Sequence, residues 1–211
     1  MPESRAARQL SSRELKRQRI LRAAIDVFAH RGFFAARMSD VAAKAEVADG
    51  TLYLYFDGKE HLLTSIFDDV LSRFIDRLEN ELERIDDPAD KLRVMIRLHL
   101  QTLGRDRALA HVLQIETRHS RRFMGMLSRG KLGEYLSLLR SIIEEGQELG
   151  SFRRDMNPGL ATNLVFGAVD ELVISWLLAD DGGDLVRHHE PLVRLLSEGV
   201  MPCHHHEGAN P

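Results

Sequence analysis

From Lys59 to Asp87 the chain runs without a single glycine or proline. Within that run Leu62, Leu63, Ile66, Phe67, Val70, Leu71, Phe74, Ile75, Leu78 and Leu82 recur at intervals of three and four residues. This is the period of one long amphipathic helix, whose apolar stripe must be covered along its whole length. Pro88 suits the first turn of a second helix that reaches about Gly104. Further helical segments fall near 106–118, 121–149, 158–180 and 185–200, separated by Gly150, Pro158 and Asp181-Gly182-Gly183. Gly130 to Gly133 is a candidate kink in the segment 121–149. No pair of strand patterns, no repeat and no low-complexity tract interrupts this series. The expected fold is all-α, with about nine helices.

Upstream of Lys59 the helices are short. Ser11-x-x-Glu14 has the form of a capping box, and Leu21, Ala24, Ile25 and Phe28 follow at helical spacing until Gly32. Met38, Val41, Ala42 and Ala45 mark a second helix. The next stretch, VADGTLYLYF at 47–56, reads in isolation as a β-hairpin, with an Asp-Gly turn and alternating strand-loving residues. Between helices it reads instead as a third short helix, and a helix starting about four residues after the last is a helix-turn-helix. Leu52 and Phe56 then share the inward face. The small leading residues Asp49, Gly50 and Thr51 let the backbone approach DNA, and Tyr53 and Tyr55 offer hydroxyl donors to phosphates.

Charge agrees with that division. Residues 1–59 hold 11 Lys/Arg against 7 Asp/Glu, whereas the other 152 hold 18 against 25. A basic head on an acidic body points to a polyanion at the N-terminal end. We therefore expect a basic arm and DNA-binding domain over 1–58, a second helical domain over 59–201 and a disordered tail over 202–211. The lone Cys203 excludes an internal disulfide framework and fits a reducing cytoplasm. The first residues lack the apolar core of a signal peptide. The apolar run Leu160 to Ala179 contains Asn163, Asp170 and Glu171, which makes it a poor membrane span. Cys203-His204-His205-His206 reads as coincidental histidines in a tail rather than a metal site. No Gly-rich phosphate loop, metal-spaced ligand set or nucleophile elbow is present, so neither an enzyme nor a cofactor is expected.

VADGTLYLYFDGKEHLL, preceded by ILRAAIDVFAHRGFFAARMSDVAAKAEV, resembles the DNA-binding domain of the tetracycline-repressor (TetR) family. The resemblance implies contacts at or near base edges from Asp49, Gly50, Thr51 and Leu54. It implies phosphate contacts from Tyr53, Tyr55 and Lys59, with Arg37 and Ser39 near phosphates at the start of the second helix. Three positions depart from the pattern. Glu46 stands where a glycine is usual, Ala48 where a serine caps the third helix, and Ala36 where a threonine or serine caps the second. That leaves two roles for Asp49, capping the third helix one residue later or reading a base.

The family pattern implies a C-terminal helical domain that binds an effector and pairs two copies through its last two helices. Gly167 and Ala168 allow close approach there, with Leu164, Leu172, Trp176, Leu192 and Leu196 as packing. Dimerisation suits two recognition helices about 34–36 Å apart, facing successive major grooves of palindromic double-stranded operator DNA. LQIETRHS (113–120), EYLSLLRSIIEEGQELGSFRRD (134–155) and LVFGAVDELVISWLLAD (164–180) further resemble TetR-type regulators of fatty-acid degradation. This implies a repressor released by a long-chain acyl-CoA. Such a ligand needs an apolar tunnel, for which Leu98, Leu103, Leu113, Phe123, Leu136, Leu139, Ile143 and Phe166 are candidates. It also needs cations at the mouth, for which Arg105, Arg107, Arg118 and Arg122 are candidates. Asp170 and Glu171 are candidates for the cavity wall or the dimer surface. Two rivals stand beside this reading: an efflux-gene repressor sensing lipophilic drugs, and a helical acyl-CoA-binding protein without specific DNA binding.

Overall fold

The computed structural model describes residues 11–116, 130–179 and 183–200. Among them are nine α-helices and no strand: α1 Ser12–Arg31, α2 Met38–Lys44, α3 Asp49–Tyr53, α4 Lys59–Leu82, α5 Pro88–Gly104, α6 Arg107–Gln114, α7 Lys131–Leu149, α8 Pro158–Leu178 and α9 His189–Val200. Side-chain caps set four of the starts. Ser11 Oγ accepts from the Glu14 N–H at 3.2 Å, Asp87 from Asp90, Asp106 from Leu109 and Asn157 from Leu160, each holding an amide that has no partner inside its helix.

The chain divides into two compact units, Met1–Ile66 and Phe67–Pro211. The division falls inside α4, eight residues beyond the expected boundary at 58/59. The reason is burial: Leu62, Leu63 and Ile66 are almost wholly enclosed, and the Phe56 ring meets His61 edge-on at 5.7 Å. The first turns of α4 thus complete the core of the N-terminal unit, where Ile20, Ala24, Phe28, Val41, Ala42, Leu52 and Phe56 also lie.

In the C-terminal unit α5 packs against α6, α7, α8 and α9, and α7 against α8. Ion pairs mark two of these seams, with Lys91 reaching both Glu145 oxygens at 2.7 Å and Arg93 reaching Glu190 at 2.8 Å, while Arg97 of α5 reaches Glu81 of α4 at 3.0 Å. At the end of α7, Gly150 takes a left-handed conformation and the Phe152 N–H returns to the Gly146 carbonyl at 3.0 Å. Phe152 is thereby folded back over Gly146 and buried.

Three expectations change. The Gly130–Gly133 region is not a kink, because α7 begins at Lys131 with Gly130 at its N-cap. The segment 185–200 is not one helix: a 3₁₀ turn, Leu185–His188, is capped by Asp184 and precedes α9. Trp176 and Leu192, expected at the dimer surface, are buried within their own chain. By length and composition α8 also qualifies as a membrane span. Its buried Asp170 and exposed Glu171 are the residues that make it a poor one.

Candidate functional site

Two surfaces hold the candidate residues. The first lies on the N-terminal unit, where α2 and α3 form the helix-turn-helix. Leu52 and Phe56 are fully buried and anchor α3, while Tyr53 is 54% and Leu54 76% exposed. Asp49 and Gly50 are exposed as well, and Thr51 and Tyr55 are half-buried. All six candidates on α3 and just after it, together with the Arg37 and Ser39 side chains at the exposed start of α2, are thus open to a partner in whole or part. A Cβ placed on Gly50 would meet nothing within 4 Å. The fold therefore does not require glycine there.

The turn between these helices has Glu46 at φ 54°, the left-handed value expected where a glycine is usual. Its N–H donates to Ala43 at 3.2 Å and that of Val47 to Ala42 at 3.0 Å, the two bonds of a Schellman turn. Capping differs from the sequence-based candidates at both helices. Ala48, not Asp49, occupies the N-cap of α3, and no side chain bonds there; Asp49 is the first helical residue. The N-cap of α2 is Arg37 rather than Ala36, which is buried, and the Arg37 N–H is held instead by the Asp40 carboxylate at 2.9 Å. Asp40 also pairs with Arg31 at 2.8 Å.

Lys59, expected to meet a phosphate, has structural work. Its ammonium donates to the Phe33 and Phe34 carbonyls at 2.7 and 3.0 Å and sits 4.9 Å from the Phe33 ring centre. That ties α4 to the turn after α1 and leaves one of three ammonium protons for an outside acceptor. Arg13 lies 5.9 Å over the Tyr55 ring, so a second cation accompanies that tyrosine.

The second surface is a cavity in the C-terminal unit. Phe67, Val70, Leu71 and Phe74 present one face of α4, at the spacing that first marked this helix. Leu103 of α5, Leu113 of α6, Leu132 of α7 and Phe166 of α8 complete an apolar wall. The cavity encloses about 710 Å³ of empty space when its open mouth is included. Its polar lining is His99, Thr102, Gln114, Tyr135 and Asp170.

His99 and Tyr135 form the centre of that lining. His99 Nδ1 lies 3.0 Å from the Tyr135 hydroxyl, and both rings pack edge-on or tilted against Phe74 and Phe166 at 5.5–6.3 Å between centres. Burial lowers the His99 pKa to about 4 and pushes the Tyr135 phenol up, because neither charged form is solvated there. At neutral pH both are uncharged. Thr102 Oγ1 is already donating to the Leu98 carbonyl at 2.7 Å.

The expected ligand residues divide accordingly. Leu113 and Phe166 line the cavity, as do Leu103 and Asp170. Leu139, Leu98 and Ile143 are buried in the core but do not line it. Arg107 serves the C-terminus of α8: it donates to the Leu177 and Ala179 carbonyls at 2.8 and 3.0 Å and stacks 4.9 Å over Trp176. Arg105 is exposed just past α5 and makes no ion pair among the described residues. Arg118, Arg122 and Phe123, like Cys203 to His206, lie outside the described residues. The lining residues that sequence reasoning missed are Phe67, Val70, Leu71 and Phe74 on α4, and His99, Thr102, Gln114, Leu132 and Tyr135. The four α4 residues carried a signal, since all sit on the stripe that first marked this helix.

Comparisons with known proteins follow the same two-part division. Residues 20–66 match the family model for bacterial regulatory proteins of the tetR family, and residues 67–199 match that for the C-terminal region of YsiA-like proteins. The fatty acid metabolism regulator protein of Bacillus subtilis (strain 168) is 35% identical over 185 residues, covering 88% of this chain and 95% of the relative. Among solved structures, the fatty acid degradation regulator FadR from Bacillus halodurans superposes with a TM-score of 0.83 at 36% identity, covering 87% of this chain and 95% of that one. FadR from Bacillus subtilis in complex with stearoyl-CoA also gives 0.83, at 34% identity, covering 86% and 98%.

Proposed function

The chain belongs to the TetR family of bacterial regulatory proteins, and from that membership we propose that it is a cytoplasmic, homodimeric repressor of fatty-acid degradation genes, released from its operator by a long-chain acyl-CoA. The observation that carries the effector is the cavity. It is walled by apolar side chains from five helices, in a chain that superposes on a regulator solved with stearoyl-CoA.

The exposure of the candidate side chains on α2 and α3 supports the following roles for them. Asp49, Gly50, Thr51 and Leu54 approach base edges, and Arg37, Ser39, Tyr53, Tyr55 and Lys59 hold phosphates. Lysine and arginine contacts supply most of the affinity, which therefore falls steeply with salt. Two copies pair through α8 and α9. In support, Leu160, Leu164 and Leu178 are exposed along α8, Leu195 is exposed on α9, and Gly167 has open space around it. An apolar stripe of that length on one helix marks a contact surface. The acyl chain fills the cavity, and Arg105, Arg118 and Arg122 meet the phosphates of the head group. Binding favours a dimer geometry whose recognition helices no longer match successive major grooves. A coupling of about 1–3 kcal/mol between the two sites is typical of such switches.

One observation favours the drug-sensing rival: the cavity wall includes the carboxylate of Asp170, which suits a cation. A single titration separates the readings. Fluorescence anisotropy follows the dimer on a labelled palindrome from the gene's own upstream region while palmitoyl-CoA, palmitate or a lipophilic cation is added. Release by palmitoyl-CoA alone supports the proposal; release by the cation alone replaces it with the rival. Absence of a specific DNA complex at low micromolar protein and moderate salt would reject the repressor altogether.

A further inference from the structure

The His99–Tyr135 pair is more polar than a hydrocarbon tunnel requires. It sits among Phe74 and Phe166, on helices whose neighbouring turns supply Leu103 and Leu132 to the same wall. A chain of methylene groups gains nothing from it.

Proton counting shows what it offers. With both groups neutral, the pair holds two polar hydrogens, one on the phenol and one on the imidazole. The contact between Nδ1 and the hydroxyl uses one of them. If the phenol donates to Nδ1, the remaining hydrogen is on Nε2; if Nδ1 donates, the phenol O–H is left over. Either tautomer leaves one donor unspent. No other hydrogen bond is made by His99 or Tyr135 among the described residues, and both side chains line the cavity. A donor desolvated without an acceptor is costly, whereas the same donor facing an oxygen is not.

Resting on the acyl-CoA reading above, we infer that His99 and Tyr135 together donate a hydrogen bond to an oxygen of the bound ligand, so that the cavity selects acyl-CoAs carrying a carbonyl or hydroxyl group at that depth. Two sources supply such an oxygen: the thioester carbonyl itself, or an oxygen substituent on the chain near it. Thr102 does not compete for the role, since its hydroxyl proton is bound to the backbone of its own helix. Tyr135 and His99 are 36 residues apart in sequence, and the pair exists only because α5 and α7 pack together.

The test compares three ligands by calorimetry on the full-length protein: palmitoyl-CoA, its thioether analogue S-hexadecyl-CoA, and 3-hydroxyhexadecanoyl-CoA. If the thioester carbonyl is the acceptor, the thioether binds roughly tenfold more weakly than both others, the factor that one buried hydrogen bond is worth. If a chain oxygen is the acceptor, palmitoyl-CoA and the thioether bind alike and the hydroxy ligand roughly tenfold more tightly. Equal binding of all three overturns the inference and leaves the acyl-CoA reading standing. Failure of every CoA ligand to bind overturns both. Each single variant, His99→Phe or Tyr135→Phe, keeps one donor, so the double variant carries the decisive comparison: it should bind all three alike. Preference retained by a folded double variant also overturns the inference. The wild-type series shows whether a ligand oxygen is recognised at all, and the double variant shows whether these two residues recognise it.

Discussion

Replacing Gly146 by alanine sets two effects of opposite sign against each other. Gly146 lies in the last turns of α7, where alanine favours the helix by about 1 kcal/mol over glycine. On propensity alone the substitution stabilises. The structure argues otherwise. A Cβ on Gly146 would stand 2.1 Å from Cδ2 of Phe152 and 2.5 Å from its Cε2, against an ordinary carbon contact of about 3.5–4.0 Å. The ring must retreat by more than an ångström. It has little room, since Phe152 is buried and its own N–H is bonded to the Gly146 carbonyl. Overpacking of this kind costs about 1–3 kcal/mol, and full expulsion of a phenylalanine about 3–5. Gly146→Ala should therefore destabilise net, by up to about 2 kcal/mol if the ring shifts and about 2–4 kcal/mol if it is expelled. Urea unfolding at fixed protein concentration measures it, concentration being held because association adds to apparent stability. Repeating the substitution in Phe152→Ala removes the obstacle, and there Gly146→Ala should stabilise by about 1 kcal/mol. A higher midpoint for Gly146→Ala alone, or the same sign in both backgrounds, would refute the reasoning.

Glu46→Gly relieves a left-handed residue at a cost of about 1–2 kcal/mol, offset by the extra freedom glycine has when unfolded, about 0.5–1 kcal/mol. The variant should gain about 0.5–1 kcal/mol in thermal unfolding, and an unchanged Tm would contradict the strain. His99 has a folded pKa of about 4 against an ordinary 6.5, so below pH 6.5 the unfolded chain binds a proton that the folded chain refuses. Its contribution is complete above pH 6.5 and is lost as pH falls towards 4, to a total of about 3 kcal/mol. Between pH 7.5 and 4 the wild type should lose about that much more stability than His99→Phe; parallel curves would argue against a neutral buried imidazole. Leu164→Glu places a charge on the exposed α8 stripe without touching the core, and sedimentation should show monomers at concentrations where the wild type is dimeric. A dimer unchanged by this variant would move the interface elsewhere.

What could be read from the chain depended on whether the partner of a residue was local. The α4 stripe is local: Leu62, Ile66, Phe74, Leu78 and Leu82 repeat within one helix, and all are buried. The recognition helix was legible for a related reason, because the helices around VADGTLYLYF override its hairpin-like residues. Caps were less so. A cap depends on where φ and ψ turn helical, and a one-residue shift put Arg37 and Ala48 where Ala36 and Asp49 were candidates. Arg107 was misassigned because a guanidinium that binds phosphate binds carbonyls equally well, and only the fold brings the end of α8 within its reach. His99 and Tyr135 were invisible for the same reason: each alone is an ordinary residue of an amphipathic helix.

Gly50 has a consequence for how such a protein changes over generations. With nothing within 4 Å of its missing side chain, the fold accepts other residues there, and alanine would even favour the helix. Stability and recognition are uncoupled at this position. A drifting lineage can exchange Gly50 for a larger residue without first acquiring a compensating mutation in the core. Under the DNA contact proposed for Gly50, whether such a change survives is decided by the DNA sequence it meets, and operator and regulator can diverge in single steps.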